Sequence, residues 1–171
     1  MTKPSVLILG GNFAGLGAAQ KIRDYAGDAV DITVIDRKAY LDYIPNIPLE
    51  VFEGRDPAVT MHMGLVDTLA RDDIRFRQAE VLGLDIDARQ VRVRPNERLG
   101  APEYRIAYDY LVIALGSILA YDDIEGFAEH GHPVSDSYHA NRLIEYLKND
   151  YMGGPIAVGS DRFEQGTKGK P

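Results

Sequence analysis

Cysteine is absent from all 171 residues. Without a thiol, the sequence holds no disulfide framework, no thiolate metal site and no thiol redox centre. Long apolar runs are missing too. The longest, Tyr110 to Tyr121, is broken by Gly116-Ser117 and falls short of the roughly 20 residues that span a bilayer. No signal peptide is read at the N-terminus, where only a short apolar run separates Lys3 from Gly10, and the cytoplasm is the expected compartment. Positive charge is in deficit, with 19 Lys and Arg against 26 Asp and Glu and a formal charge of -7. No basic patch is interleaved with aromatics, so nucleic acid is not an expected partner. There is no internal repeat and no low-complexity tract. What is present is a hydrophobic share of 45%, enough for one domain with a sizeable core.

The apolar pattern predicts an α/β fold. Val6 to Leu9 is uniformly apolar and β-favouring, as in a central parallel strand buried on both faces. Ala14 to Tyr25 carries Leu16, Ala19, Ile22 and Tyr25 at helical spacing, and Asp31 to Asp36 reads as a second strand. Together these make a βαβ unit with a right-handed crossover. A loop with two prolines (YIPNIPLE) and a helix within HMGLVDTLARDD, its stripe formed by Leu65, Val66 and Leu69, come next. Short alternating segments from Ile74 to Tyr108 read as antiparallel strands. YDYLVIALGS then resumes a buried strand, Asp136 N-caps a helix to about Asn149, and Pro155 to Ser160 starts another strand. A parallel strand needs a crossover to its neighbour, and none follows, so the sequence reads as a fragment of a longer chain.

The chemistry sits in VLILGGNFAGLGAA. In a strand-turn-helix of the form G-x-G-x-x-G, the first glycine makes the tight turn and the second admits the pyrophosphate. The third packs helix on strand. Gly10 and Gly15 hold the first and third positions, and Asn12 replaces the second. Asn tolerates positive φ better than other non-glycine residues, so Asn12 is expected to keep the loop's shape and to offer its amide to a phosphate oxygen. Gly11 adds freedom beside the turn, and Phe13 and Ala14 complete the loop. Asp36 ends the second strand about 20 residues past Gly15, where a carboxylate accepts from ribose hydroxyls. Arg37 beside it softens that preference. A bare glycine turn that only packs a helix onto a sheet is the competing reading, and the strand, the helix and Asp36 weigh against it.

The antiparallel meander followed by YDYLVIALGS resembles the FAD domain of the two-dinucleotide flavoproteins, which include the pyridine nucleotide-disulfide oxidoreductases. The resemblance makes the dinucleotide FAD. It places the backbone of Val81 near the adenine and matches Ala114-Leu115-Gly116 to the family's A-T-G strand end by the pyrophosphate. Three further stretches resemble sulfide:quinone oxidoreductases. Pro45 and Pro48 match a double-proline segment beside the flavin ring. HPVSDSYHANRLIEYL matches a segment carrying a redox cysteine and, four residues on, a histidine; these positions are Ser135 and His139 here. GGPIAVGSDRFEQG matches the first strand of a second, NAD-like domain. The implied organisation is a Rossmann-like FAD-binding domain over 1–120, a parallel sheet plus antiparallel β-meander. A connecting segment with a helix covers 121–154, and the start of a second Rossmann-like domain covers 155–171.

Family membership implies that sulfide attacks an enzyme disulfide or persulfide, that a thiolate passes electrons to the flavin, and that FAD hands them to a quinone. Ser135 departs from this, since a hydroxyl without an adjacent base is a poor nucleophile and forms no disulfide. His139 stands equally as a proton carrier near the flavin or as an exposed histidine in a helix's first turn. The expected partners are a quinone, a small inorganic or nicotinamide electron donor, and the remainder of the parent polypeptide. That remainder implies a peripheral contact with the inner face of the cell membrane.

A type II NADH:quinone dehydrogenase, or another NAD(P)H-linked reductase, is the alternative within enzymes. The missing G-x-G-x-x-G after Gly159 argues against it. An incomplete FAD-binding module without turnover is the alternative outside them, with the 171 residues alone holding FAD weakly or not at all. No metal is expected: His130-Gly131-His132 reads as loop, Met61-His62-Met63 as packing at a helix start, and Asp122, Asp123 and Glu125 as a solvated turn.

Overall fold

The computed structural model describes residues 2–96, 100–118 and 124–159. Asp122 and Asp123 of the acidic turn, and the chain from Ser160 on, lie outside them. A six-stranded sheet organises the fold, in the order β7 (Tyr104–Ala107), β6 (Gln90–Pro95), β5 (Arg75–Asp85), β2 (Asp31–Asp36), β1 (Ser5–Leu9), β8 (Tyr110–Ile113). Strand β1 (Ser5–Leu9) pairs in parallel with β2 (Asp31–Asp36) on one side and β8 (Tyr110–Ile113) on the other. Flanked on both sides and covered on both faces, Val6 to Leu9 are at most 5% exposed, which is why that run carries no polar residue.

Alternate side chains of β1 feed two different cores. Val6 and Ile8 pack with Ala19 of helix α1 (Phe13–Ala26), Leu41 of β3 (Tyr40–Asp42), and Leu65 and Leu69 of α4 (Leu65–Ala70). Leu7 and Leu9 pack with Ile35, Ala79, and Val91 and Val93 of β6 (Gln90–Pro95). Strand β5 (Arg75–Asp85) joins these halves. Its first residues run parallel to β2, and from Ala79 onward it runs antiparallel to β6, with a register shift between Val81 and Gly83. Two short strands expected here are one of eleven residues. Strand β7 (Tyr104–Ala107) completes the meander.

Several expectations are corrected. The double-proline loop is a 3-10 turn (Ile44–Asn46) followed by helix α2 (Ile47–Glu53). Pro48 sits in its first turn, where a missing N–H leaves no bond unmade. His62–Gly64 is not helical but forms β4, antiparallel to β3. Leu65 and Leu69 are buried as expected, whereas Val66 and Tyr25 face outward, 53% and 87% exposed. Strand β8 is an edge strand among the described residues, so Tyr110 and Ile113 are 62% and 61% exposed rather than buried. Pro155 to Gly159 carries no strand, since a strand needs a paired neighbour and none of the described residues supplies one.

A short helix α5 (Phe127–His130) takes in His130, read as loop, and helix α6 (Ser137–Asn149) follows the forecast, capped by Asp136 and packing Ala140 and Ile144 on Ile47 and Val51 of α2. Under this contact lies the fully buried carboxylate of Glu50. It accepts from Arg55 Nε at 2.9 Å, Thr60 Oγ1 of the short helix α3 (Pro57–Thr60) at 2.7 Å and Asn46 Nδ2 at 3.3 Å. Hydrogen bonds from Arg55 and Thr60 lower its pKa from 4.5 to about 2. A depressed carboxylate pKa stabilises the fold above the ordinary value, and that contribution drains away as the medium is acidified through the folded one. Glu50→Gln is therefore expected to lower the urea midpoint at neutral pH. The gap to the wild type should narrow as pH falls from 4.5 towards 2. A gap unchanged across that range would exclude the carboxylate as its source.

Candidate functional site

The carboxyl ends of β1, β2 and β8 converge at the N-terminus of α1, as in open α/β folds that bind ligands outside those strand ends. Gly10 leaves β1 at φ 102, its N–H donating to Ile35 O at 2.7 Å. A Cβ built on Gly10 would lie 2.1 Å from the Ala114 carbonyl oxygen, and one on Gly15 would lie 1.8 Å from the Gly10 carbonyl oxygen. Only bare backbone lets strand, helix and the end of β8 meet this closely.

Asn12 departs from expectation. Its φ of -88 is ordinary extended backbone, and its Oδ1 caps α1 by accepting from the Phe13 N–H at 2.9 Å. The left-handed geometry falls on Gly10 instead, so Asn12 serves the turn as a cap. The remaining first-turn N–H groups of α1 have no intrahelical acceptor and, with the helix dipole, favour an anion there. Asp36 braces the turn from below: Oδ2 accepts from the Gly11 N–H at 2.7 Å and Oδ1 from the Lys38 N–H at 2.9 Å.

A cavity of about 540 Å³ opens over this turn, a ligand-sized volume. It is lined by Asn12, Asp36, Arg37, Ala114, Leu115, Gly116, Ser135 and His139 from the expected set. Gly10, Gly11 and Gly15 lie buried beneath, while Phe13 and Ala14 are exposed on the first turn of α1, the Phe13 ring 5.8 Å from that of Tyr43. Pro45 and Val81 do not line the cavity. Pro45 is exposed in the 3-10 turn and Val81 sits half-buried at the irregularity of β5.

At the far wall, Asp136 caps α6 through the His139 N–H at 2.9 Å, and its Oδ2 lies 2.7 Å from His139 Nδ1. Burial works to raise the Asp136 pKa, but the His139 backbone and ring hydrogen bonds outweigh it and hold the carboxyl below the ordinary range. Sequence reasoning missed Lys38, Tyr40 and Asp42, which also line the cavity, together with the buried Ser137 and the half-buried His62 beside Asp42. No motif marks these residues. The pairing of Asp42 with His62 across β3 and β4, and the seat of Ser137 at the start of α6, assemble them.

The sequence matches the pyridine nucleotide-disulphide oxidoreductase family over residues 4–159. The chain belongs to that family, whose members are FAD-binding oxidoreductases. It is 27% identical to the sulfide-quinone reductase of Aquifex aeolicus (strain VF5) over 156 residues, 91% of this chain and 34% of that protein. An NADH dehydrogenase-like protein of Mycobacterium tuberculosis (strain CDC 1551 / Oshkosh) is 31% identical over 88% of this chain and 36% of its own length. The demethylphylloquinone reductase of Synechocystis sp. (strain ATCC 27184 / PCC 6803 / Kazusa) is 26% identical over 85% and 37%. The solved Aquifex aeolicus sulfide:quinone oxidoreductase superposes with a TM-score of 0.74 at 26% identity, covering 85% of this chain and 32% of that one. The chain thus spans about a third of the length of these relatives.

The residues present suit FAD. A cradle that any Cβ would fill, a helix N-terminus free to meet a pyrophosphate, and a carboxylate at the end of β2 are the features a dinucleotide requires. Gly15→Ala tests the cradle. Its methyl has nowhere to go against the Gly10 carbonyl, and a loss of about 3 kcal/mol is expected in urea unfolding. A loss within error of zero would show that α1 can slide away from β1.

Proposed function

We propose that the protein containing this chain is an FAD-dependent oxidoreductase that passes electrons from a small donor to a quinone, with sulfide as the leading donor. The observation that carries the reading is the Gly10–Gly15 cradle opening at the α1 N-terminus into the cavity, in a chain whose relatives are named as quinone reductases. FAD, when bound, supplies the capacity to accept an electron pair and return it. The first turn of α1 would receive the pyrophosphate. Asp36 would accept from ribose, with Arg37 beside it, and the Ala114 to Gly116 strand end would close over the phosphates. Val81 and Pro45, off the cavity wall here, are proposed to meet the adenine and the flavin ring when FAD is bound.

His139, held by Asp136, is proposed to move a proton at Nε2 while Nδ1 keeps its hydrogen bond to the carboxylate. Ser135 offers a hydroxyl where sulfide chemistry uses a thiol, so any sulfur exchange falls to cysteines elsewhere in the parent protein. Residues 1–120 are proposed as the FAD domain and 155–171 as the opening of a second, NAD-like domain, joined by 121–154. No helix among the described residues is long and apolar enough to cross a membrane. A peripheral contact with the cytoplasmic membrane face, where a lipid-soluble quinone resides, is assigned to the rest of the parent polypeptide.

NADH is the competing donor, favoured by the similarity to an NADH dehydrogenase-like protein. Anaerobic titration of the full-length protein separates the two. Sulfide is expected to bleach the visible flavin absorbance, and added quinone to restore it. Bleaching by NADH alone would transfer the protein to the NADH:quinone branch, and bleaching by neither would end the quinone-reductase reading.

A further inference from the structure

Among the described residues, two buried side-chain polar atoms have no hydrogen-bond partner, Asp42 Oδ1 and Ser135 Oγ. Both residues line the same cavity. Asp42 is only 2% exposed, yet its carboxylate is served unevenly. Oδ2 accepts from Lys38 Nζ at 3.1 Å and from Ser137 Oγ at 3.3 Å. His62 Nε2 lies 2.9 Å from Oδ1 without hydrogen-bond alignment and 2.8 Å from Ser137 Oγ. The His62 ring is itself fixed, stacked on Tyr40 at 3.7 Å. Asp42 is thus held in place by Lys38, Ser137 and the His62 ring, while Oδ1, close to His62 Nε2, accepts no hydrogen bond. Leaving a buried charged acceptor unmade is unfavourable, so the arrangement makes sense if the donor comes from the cavity.

The chemistry of that donor is restricted. A carboxylate oxygen repels a phosphate and accepts from a hydroxyl or a ring N–H. The adenine-ribose and pyrophosphate parts of a dinucleotide are already provided for by Asp36 and the α1 N-terminus. Asp42 on β3, and Ser135 just before the α6 cap, remain for the other half. We propose that Asp42 and Ser135 form a polar subsite for the ribityl-flavin half of FAD, Asp42 Oδ1 accepting from a hydroxyl or N–H and Ser135 Oγ supplying a second hydrogen bond. Ser135 is then a binding residue in its own right rather than a defective thiol. This rests on the FAD reading above.

The test compares FAD with ADP, which reports the adenine and pyrophosphate end alone. Both are titrated into the apo form of the full-length protein, for the wild type, Asp42→Asn and Ser135→Ala. Asp42→Asn is expected to weaken FAD about tenfold or more and Ser135→Ala about fivefold. ADP affinity should stay within about twofold of wild type in both, which also shows that each variant is folded. An FAD affinity unchanged in either variant, or FAD and ADP affinities falling together, overturns the subsite. A wild type that binds neither ligand overturns instead the FAD reading on which the subsite rests.

Discussion

The contact of the Gly10 backbone with the Ala114 carbonyl, and of Gly15 with the Gly10 carbonyl, sets the dimensions of everything above it. Parallel pairing of β1 with β2 and β8 brings three strand ends to one level, and any side chain at the two glycines would force them apart. Because α1 starts directly on that level, its N-terminus lies at the strand ends, with Asn12 on the cavity wall. Asp36 then fixes the turn by bonding the Gly11 N–H. The shape of the turn is therefore a product of backbone proximity. Charged side chains sit around it, but none of them makes it.

A second layer holds the opposite wall, and two buried carboxylates there behave differently. Glu50 is bonded by Arg55, Thr60 and Asn46 and serves to lock α2 and α3 under α6. Asp42 accepts hydrogen bonds through Oδ2 only, with His62 Nε2 2.9 Å from Oδ1 but not bonded to it. Full satisfaction is what a structural charge in the interior requires. Partial satisfaction on a cavity wall is what a binding group looks like before its ligand arrives. Helix α6 joins the two, packing Ala140 and Ile144 on Ile47 and Val51 of α2 and donating from Ser137 to Asp42.

Much of the fold was legible because its signals are local. The run Val6 to Leu9, the glycine spacing, the Asp136 cap and the alternation through Arg75 to Ala107 each report on their own neighbourhood. Position Asn12 was read correctly as part of the turn but for the wrong reason: side-chain capping, not positive φ, explains it. The exposure of β8 was not legible, since a strand's burial depends on what lies beside it. The double-proline segment misled because Pro reads as a breaker, although it is compatible with the first turn of a helix. Asp42, His62 and Ser137 left no trace in the sequence, being far apart along the chain and joined only by the β3–β4 pairing and the seat of α6.

The pairing of β1 with β8 also bears on how the chain is made. Ser5 is bonded to Asp109, 104 positions later, so β1 cannot gain its second neighbour until most of the described chain has been synthesised. At roughly 5–20 residues per second, an apolar strand with an open edge persists for on the order of 5–20 seconds on the ribosome. Such edges recruit other strands. The polar Ser5–Asp109 clasp at the mouth of the pair gives the late-arriving strand a register to close on.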